Sequence, residues 1–256
     1  MKVTNKWLLI PYSIVLLFML IPMVSLGANI VGVDWSMIDW ATIQSALFIT
    51  MECSFLSMVL ILMFGIPTAY VRAKSSYKGK AIVERFLQIP LVLPPAVTGI
   101  ILLLAFGRNG FIGSFFSQLG IQLAFSKIAI VITYTFIGLP VFIDVLTEGF
   151  RSVNDRLILS AMSLGDSPMQ AFFKVTLPLS SNSLKVAMMM AWAKGIGEFG
   201  ATMLFAGNIK GVTQTLPLAI YSMMESNLEG AMLLALLMMV LGYVIVYITK
   251  RGLKDD

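Results

Sequence analysis

Six apolar runs, each long enough to cross a lipid bilayer, dominate this chain of 256 residues. They lie near residues 7–29, 43–70, 86–106, 127–148, 184–206 and 230–249. A transmembrane helix takes about 20 such residues, and in hydrocarbon a spanning segment must satisfy its own backbone hydrogen bonds. The sequence therefore predicts an all-α integral membrane protein with about six transmembrane helices, built as a single membrane domain over residues 1–256.

Several classes of protein are excluded by what the chain lacks. It has no histidine, which removes histidine-ligated metals, Ser-His-Asp triads and histidine proton relays. Cys53 is its only cysteine, so no intramolecular disulfide can form. An intramembrane aspartyl protease needs two membrane aspartates, and only Asp144 qualifies. We expect no catalytic residue, no metal site and no enzymatic activity in this chain.

The basic residues predict how the chain is oriented in the membrane. Cytoplasmic segments carry an excess of lysine and arginine. The N-terminus, the second and fourth loops and the C-terminal tail hold most of them, whereas the alternate loops hold only Arg108, Lys127 and Lys210. Both termini are therefore predicted to be cytoplasmic. The net charge of +5 is explained by this orientation, and we expect no nucleic-acid partner.

The third run contains Pro90, Pro94 and Pro95, so a kink is predicted there. A broken helix at membrane depth is tolerated where protein or a water-filled cavity covers it. This argument places the third span inside the bundle rather than against lipid.

The fourth loop is predicted to be a capped pair of helices on the cytoplasmic side, over residues 155–178. Residues 154–164 show helical periodicity, and Gly165 follows where a helix end favours a left-handed residue. Asp166 or Ser167 is suited to cap a second helix with Pro168 at its first position. Phe172 and Phe173 would lie on one face of that helix, which should stop before Pro178. The pair could lie on the membrane surface, or dock in a groove of a partner protein.

The segment "AMSLGDSPMQAFFKVTLP" (residues 161–178) resembles the cytoplasmic loop of ABC-importer permeases, whose pattern is Glu-Ala-Ala, three residues, Gly and a later Leu-Pro. Ala161, Gly165, Leu177 and Pro178 match that pattern, while Ser160 and Met162 replace its Glu and second Ala. The resemblance implies a type I importer fold in which this loop couples to an ATP-hydrolysing subunit. The residues assigned to coupling are Ala161, Gly165, Asp166, Ser167, Pro168, Phe172, Phe173, Leu177 and Pro178.

Three further stretches are similar to permeases for molybdate and, more broadly, for tungstate and sulfate. They are "PLVLPPAVTGIILLLAFGRNG" from Pro90, "GEFGATMLFAGNIKG" from Gly197 and "TQTLPLAIY" from Thr213, and the resemblance covers roughly residues 40–250. It implies an oxyanion substrate, a second copy of the chain, two ATP-binding cassette subunits and an extracytoplasmic binding protein. ATP would be used by the partner subunits, and no cofactor is expected on this chain.

Lys194 and Glu198 are ionisable residues inside the fifth run, where such groups are costly. On a continuous helix they would share a face, beside a stripe of Ala193, Gly197 and Ala201. Two interpretations stay open: a structural ion pair or hydrogen bond, or a pore gate. The gate candidates are Lys194, Gly197, Glu198, Gly200 and Thr202. An ion-coupled carrier that works without ATP, using Glu52, Asp144 and Glu198, is the alternative function.

Overall fold

A computed structural model describes residues 6–33, 36 and 38–252 of the chain. Lys2 and Lys254, which contribute to the predicted orientation, lie outside the described residues. The described part contains helices and no β-strand, so the all-α prediction is confirmed. In chain order the helices are α1 (Lys6–Ile30), α2 (Trp40–Lys74), α3 (Lys80–Val92), α4 (Pro95–Phe106), α5 (Gly113–Gln118), α6 (Lys127–Ser152), α7 (Asp155–Ser163), α8 (Pro168–Ala171), α9 (Leu177–Leu179), α10 (Ser181–Ile196), α11 (Gly200–Phe205), α12 (Leu216–Ser226) and α13 (Leu228–Gly252), with a π-helical turn at Phe172–Thr176 between α8 and α9.

Four helices of the described chain, α1, α2, α6 and α13, are long and apolar enough to cross a membrane alone. The third predicted span is divided into α3 and α4, which meet at a bend of 115° and count as a fifth span if taken together. The fifth predicted span, 184–206, is not one helix, because α10 ends at Ile196 and α11 begins at Gly200. Prolines cause the first break, and low-propensity glycines flank the second.

The centre of the bundle is formed by α2, α6 and α10. Helix α2 runs parallel to α6, since the hydroxyl of Ser57 donates to the Val131 carbonyl at 3.1 Å and Arg72 pairs with Asp144 further along both helices. Helix α10 runs antiparallel to α6. A side chain at Gly138 would meet Ala191, and one at Gly149 would meet Ser183, so the helices approach closely at both points.

The predicted placement of the third span inside the bundle is right for α4 and wrong for α3 within the single chain. Helix α4 buries Thr98, Gly99 and Leu102, whereas α3 buries no residue. The 115° bend explains the difference, because it turns α4 into the protein while α3 stays at the outside of the bundle. Ile82 and Phe86 are accordingly exposed.

Candidate functional site

The turn between α7 and α8 has the predicted backbone conformation. Gly165 has a φ of 101°, which lies in the left-handed region that favours glycine. Its N–H donates to the Met162 carbonyl, and the N–H of Asp166 donates to the Ala161 carbonyl, both at 3.1 Å. These two bonds are the Schellman arrangement that closes a helix C-terminus. The loop is therefore helix, tight turn and helix, as the sequence predicts.

Ser167, rather than Asp166, is the residue that caps α8. Its hydroxyl accepts from the N–H of Gln170, and the Gln170 side chain accepts from the N–H of Ser167 at 2.8 Å, which completes a capping box. Pro168 takes the first helical position. Asp166 forms an ion pair with Lys174 instead. The turn is thus held from both sides by local side-chain contacts.

The loop between α6 and α10 exposes apolar side chains. Leu164, at the tip of the turn, is 90% exposed, and α7 buries no residue. Leu157, Met169 and Phe173 are also exposed. Soluble surfaces rarely expose apolar groups in such a cluster unless another molecule covers them. This surface, defined by Leu157, Leu164, Met169 and Phe173, is called the loop tip surface below.

Phe172 does not belong to the loop tip surface, contrary to the sequence interpretation that grouped it with Phe173. Its ring packs edge-on against Tyr70, with ring centroids 4.9 Å apart, and against Phe150 at 5.9 Å. Edge-to-face pairs of this kind stabilise packing beyond the area they bury. Phe172 therefore anchors the loop to α2 and α6, and Phe173 alone of the two rings faces outward.

The prediction that the second loop helix stops before Pro178 is wrong. The helical path continues through the π-helical turn into α9, which contains Leu177 and Pro178. The N–H of Leu177 donates to the Phe172 carbonyl, five residues earlier. A wider turn avoids the clash that proline makes with the carbonyl four residues before it. The loop is consequently joined to α10 by nearly continuous helix.

Lys194 and Glu198 do not form the ion pair considered from the sequence. Because α10 ends at Ile196, the two residues no longer share a helix face, and the stripe of Ala193, Gly197 and Ala201 is interrupted as well. Glu198 is 6% exposed, and its Oε1 accepts from the N–H of Ala201 at 2.8 Å. Lys194 is exposed, and no carboxylate of the described residues lies within ion-pair distance of it.

The two broken helices meet where α4 packs on α11. A side chain at Gly99 would come within 3.0 Å of the Ala201 backbone, and one at Gly200 would lie 2.9 Å from Cβ of Pro95. Thr202 is fully buried, and its hydroxyl has no hydrogen-bond partner in the described part of the chain. Non-helical backbone at membrane depth is typical of transport sites.

Pro95 and Gly99 were missed as site residues by the sequence interpretation. The dipeptide Pro94-Pro95 indicates the break between α3 and α4, and Gly99 follows about one turn later. What the sequence does not show is that this turn packs against Gly200 and Ala201, more than 100 residues away. Glu52 and Asp144, the other acidic residues considered from the sequence, form ion pairs with Lys127 and Arg72.

The sequence of this chain is similar to those of known transport proteins. Residues 61–254 match the family described as "Binding-protein-dependent transport system inner membrane component". The chain is 36% identical over 246 residues to the molybdenum transport system permease protein ModB of Mycobacterium tuberculosis, covering 94% of this chain and 92% of that one. It is 34% identical over 251 residues to the probable transport system permease protein NifC of Clostridium pasteurianum, covering 96% and 85%.

A chain of a crystallised bacterial ABC transporter, involved in the import of the acidic polysaccharide alginate, has the same fold. The TM-score is 0.72 at 16% identity, and the match covers 99% of this chain and 97% of that one. The chain is therefore a membrane permease of an ABC importer. It belongs to the family of inner-membrane components of binding-protein-dependent transport systems. Such a permease is a multi-pass inner-membrane subunit, and ATP is used by separate partner subunits.

Proposed function

We propose that this chain translocates an oxyanion, molybdate first and tungstate or sulfate as alternatives, within a complex of two permease copies, two ATPase subunits and an extracytoplasmic binding protein. Molybdate is favoured by the identity to ModB over most of both chains. Sulfate stays an alternative because the chain is also 32% identical to the sulfate permease CysW of Synechocystis over 202 residues. Both termini lie in the cytoplasm, following the basic residues.

The loop tip surface is the observation that carries the proposal. Residues 155–178 present exposed apolar side chains on a turn that is fixed by a Schellman arrangement and a capping box. A rigid apolar projection of this kind suits a groove in a partner, and an ATPase subunit is the cytoplasmic partner that the family requires. Phe172 and the helical path through Pro178 then carry any movement of the turn into α2, α6 and α10.

The contact between α4 and α11 is proposed as the gate, with Gly197, Glu198, Gly200 and Thr202 on one side of it. Glu198 holds the start of α11 through the Ala201 N–H and would repel an anion, so it acts as a structural element of the gate. Lys194 is the neighbouring cation and attracts an oxyanion without binding it tightly, since a tight site slows release.

A second copy of the chain completes the pore. Helix α3 carries Ile82, Phe86 and Val92 and buries none of its residues within one chain. Helix α1 likewise has no buried residue in its apolar window. Apolar helices of a membrane protein can face lipid, but a passage for an anion cannot. The two copies of the chain must therefore enclose the anion passage between them.

The test is ATP-driven uptake of molybdate, tungstate and sulfate into proteoliposomes that contain the permease, its ATPase and a molybdate-binding protein. Gly165→Pro should break the turn and abolish uptake. Gly120→Pro, in another loop, is the matched control. Like Gly165, Gly120 has a positive φ, of 76°, and nothing within 4 Å of its Cβ position. Its N–H also donates to a carbonyl three residues earlier, that of Ser117, at 3.1 Å.

Uptake that requires ATP, survives Gly120→Pro and fails in Gly165→Pro would support the importer and its docking loop. The preferred anion would then identify the substrate. Uptake that proceeds without ATP would instead favour the ion-coupled carrier, and normal uptake by Gly165→Pro would contradict the role of the loop.

A further inference from the structure

Helix α3 is held to the rest of the chain by charged contacts and by Leu87, which packs on the apolar cluster of α2, α6 and α10. None of its residues is buried, although it joins directly to α4 and so to the contact with α11. Glu84 and Gln88 instead reach across to α2 and α6. A helix attached in this way depends on few contacts, and those contacts decide where it lies.

Arg72, in the last turns of α2, is the centre of these contacts. Its side chain is 11% exposed. Its Nε lies 3.3 Å from Oε1 of Glu84 on α3, and its Nη1 pairs with Asp144 on α6. Gln88 donates to the other oxygen of Asp144 at 3.5 Å. One guanidinium therefore joins three helices, as its planar fork of donors allows.

The same cluster reaches the first residue of α7, where the loop at residues 155–178 begins. Arg151, at the end of α6, lies 3.6 Å from Oε1 of Glu84 and 2.6 Å from Glu148. Lys74, two residues after Arg72, lies 2.5 Å from Asp155 on α7 and donates to the Val153 carbonyl at 2.9 Å. The end of α2 thus holds the first residue of α7 on one side and α3 on the other.

We infer that Arg72, Glu84 and Asp144 form a positioning cluster that transmits movement of α7 to α3 and α4, and through α4 to the gate. The inference rests on the proposed function, since it names the mechanical link between its two sites. The apolar side chains of α2, α6 and α10 form one buried cluster, and α3 touches it through Leu87. Helix α3 can therefore move as a unit about its charged contacts at the edge of that cluster.

Hydrogen exchange of α3 tests the cluster without any transport assay. In purified permease, Arg72→Met should make the α3 amides exchange about tenfold faster, because α3 loses the contact at the centre of its charged attachment. Lys127→Met is the matched control, since it removes the other ion pair between α2 and α6, Lys127 to Glu52 at 2.6 Å, at the opposite end of these helices. Exchange of α3 unchanged by Arg72→Met would overturn the inference.

The coupling readout is anion taken up per ATP hydrolysed in the full complex. Arg72→Met should retain ATP hydrolysis and lose about tenfold in this ratio, whereas Lys127→Met should keep it. A double variant, Arg72→Met with Asp144→Asn, distinguishes a merely structural role from transmission. Arg72→Met alone leaves the Asp144 carboxylate on α6 unpaired, and Asp144→Asn removes that charge. If the double variant restores the ratio, the defect is an uncompensated charge and the transmission role is wrong.

Glu84→Gln covers the case in which Arg72→Met does not fold. It leaves the pair between Arg72 and Asp144 intact and weakens only the attachment of α3. Faster α3 exchange in this variant supports the cluster, and unchanged exchange overturns it. If the wild-type complex shows no ATP-driven uptake at all, the proposed function fails while the exchange result on α3 still stands on its own.

Discussion

Gly99 is the residue where the backbone of α4 approaches α11 too closely for a side chain. A Cβ there would lie 2.8 Å from Cβ of Leu204 and 3.0 Å from the Ala201 carbonyl oxygen. Gly99→Ala should therefore overpack the contact and destabilise the protein by about 1–3 kcal/mol. Thermal unfolding in detergent measures this as a lower Tm.

Gly242→Ala provides the comparison, because Gly242 lies inside α13, is exposed and has nothing within 4 Å of its Cβ position. Alanine is the better helix former by roughly 0.5–1 kcal/mol, so this variant should be neutral or more stable. Equal effects of the two substitutions would show that α4 and α11 are not in close contact.

Asp39 is a residue whose ionisation ties the loop between α11 and α12 to the start of α2. The hydrogen bond from Lys210, at 2.6 Å, and those from Thr42 lower the pKa of Asp39 from its ordinary 3.8 to about 2. A lowered pKa means that the carboxylate stabilises the fold above pH 3.8, and that this contribution is lost as the pH falls through about 2. The pair is exposed, so its contribution is about 0.2–1 kcal/mol.

Lys210→Met should accordingly be less stable than the wild type at pH 5, with a difference that shrinks as the pH is lowered from 3.8 toward 2. Denaturation followed at several pH values measures it. Lys210→Arg keeps the charge and should follow the wild type, and a difference that persists unchanged at low pH would contradict the role of this pair.

At the scale of elements, the loop at residues 155–178 contains two adjacent aromatic residues in different environments. Phe172→Ala removes a ring packed on Tyr70 and Phe150, and should cost about 2 kcal/mol, less than the 3–5 kcal/mol typical of a fully buried ring. Phe173→Ala removes a ring that is 58% exposed and touches only the edge of Phe172, with ring centroids 5.0 Å apart, so it should lower Tm by much less.

Binding of the ATPase subunit should respond in the reverse order. Phe173→Ala is expected to weaken it about tenfold or more, as truncation of an aromatic interface residue does. A pull-down titration with the purified ATPase gives this number beside the Tm values. If Phe173→Ala binds the ATPase as the wild type does, the loop tip surface is not the docking surface.

The elements that the sequence predicts well are those whose signals are local. Gly165 and Ser167 are recognisable because a left-handed residue and a capping box depend on neighbouring residues alone. The end of α10 at Ile196 was missed because Glu198 is stabilised by the Ala201 N–H, which becomes a free donor only once the helix breaks. The inward turn of Phe172 depends on Tyr70, about 100 residues away.

For the whole molecule, the directions of the helices determine how many times the chain crosses the membrane. The pairs Glu52 with Lys127 and Arg72 with Asp144 show that α2 and α6 are parallel, so residues 75–126 must cross an odd number of times between them. Helix α10 is antiparallel to α6. Helix α13 comes after α10 and α11 in the chain and is taken to cross back in the opposite direction. We infer six crossings, with each broken pair, α3 with α4 and α10 with α11, crossing once.

Cysteine labelling from outside the cell decides this count. In a Cys53→Ser background, Arg108→Cys after α4 should react with a membrane-impermeant maleimide in intact cells. Lys78→Cys before α3 and Arg251→Cys at the end of α13 should react only after permeabilisation, because basic residues mark those ends as cytoplasmic. If Lys78→Cys and Arg108→Cys react from the same side, α3 and α4 form a re-entrant loop, and the parallel packing of α2 on α6 would need a crossing elsewhere in residues 75–126.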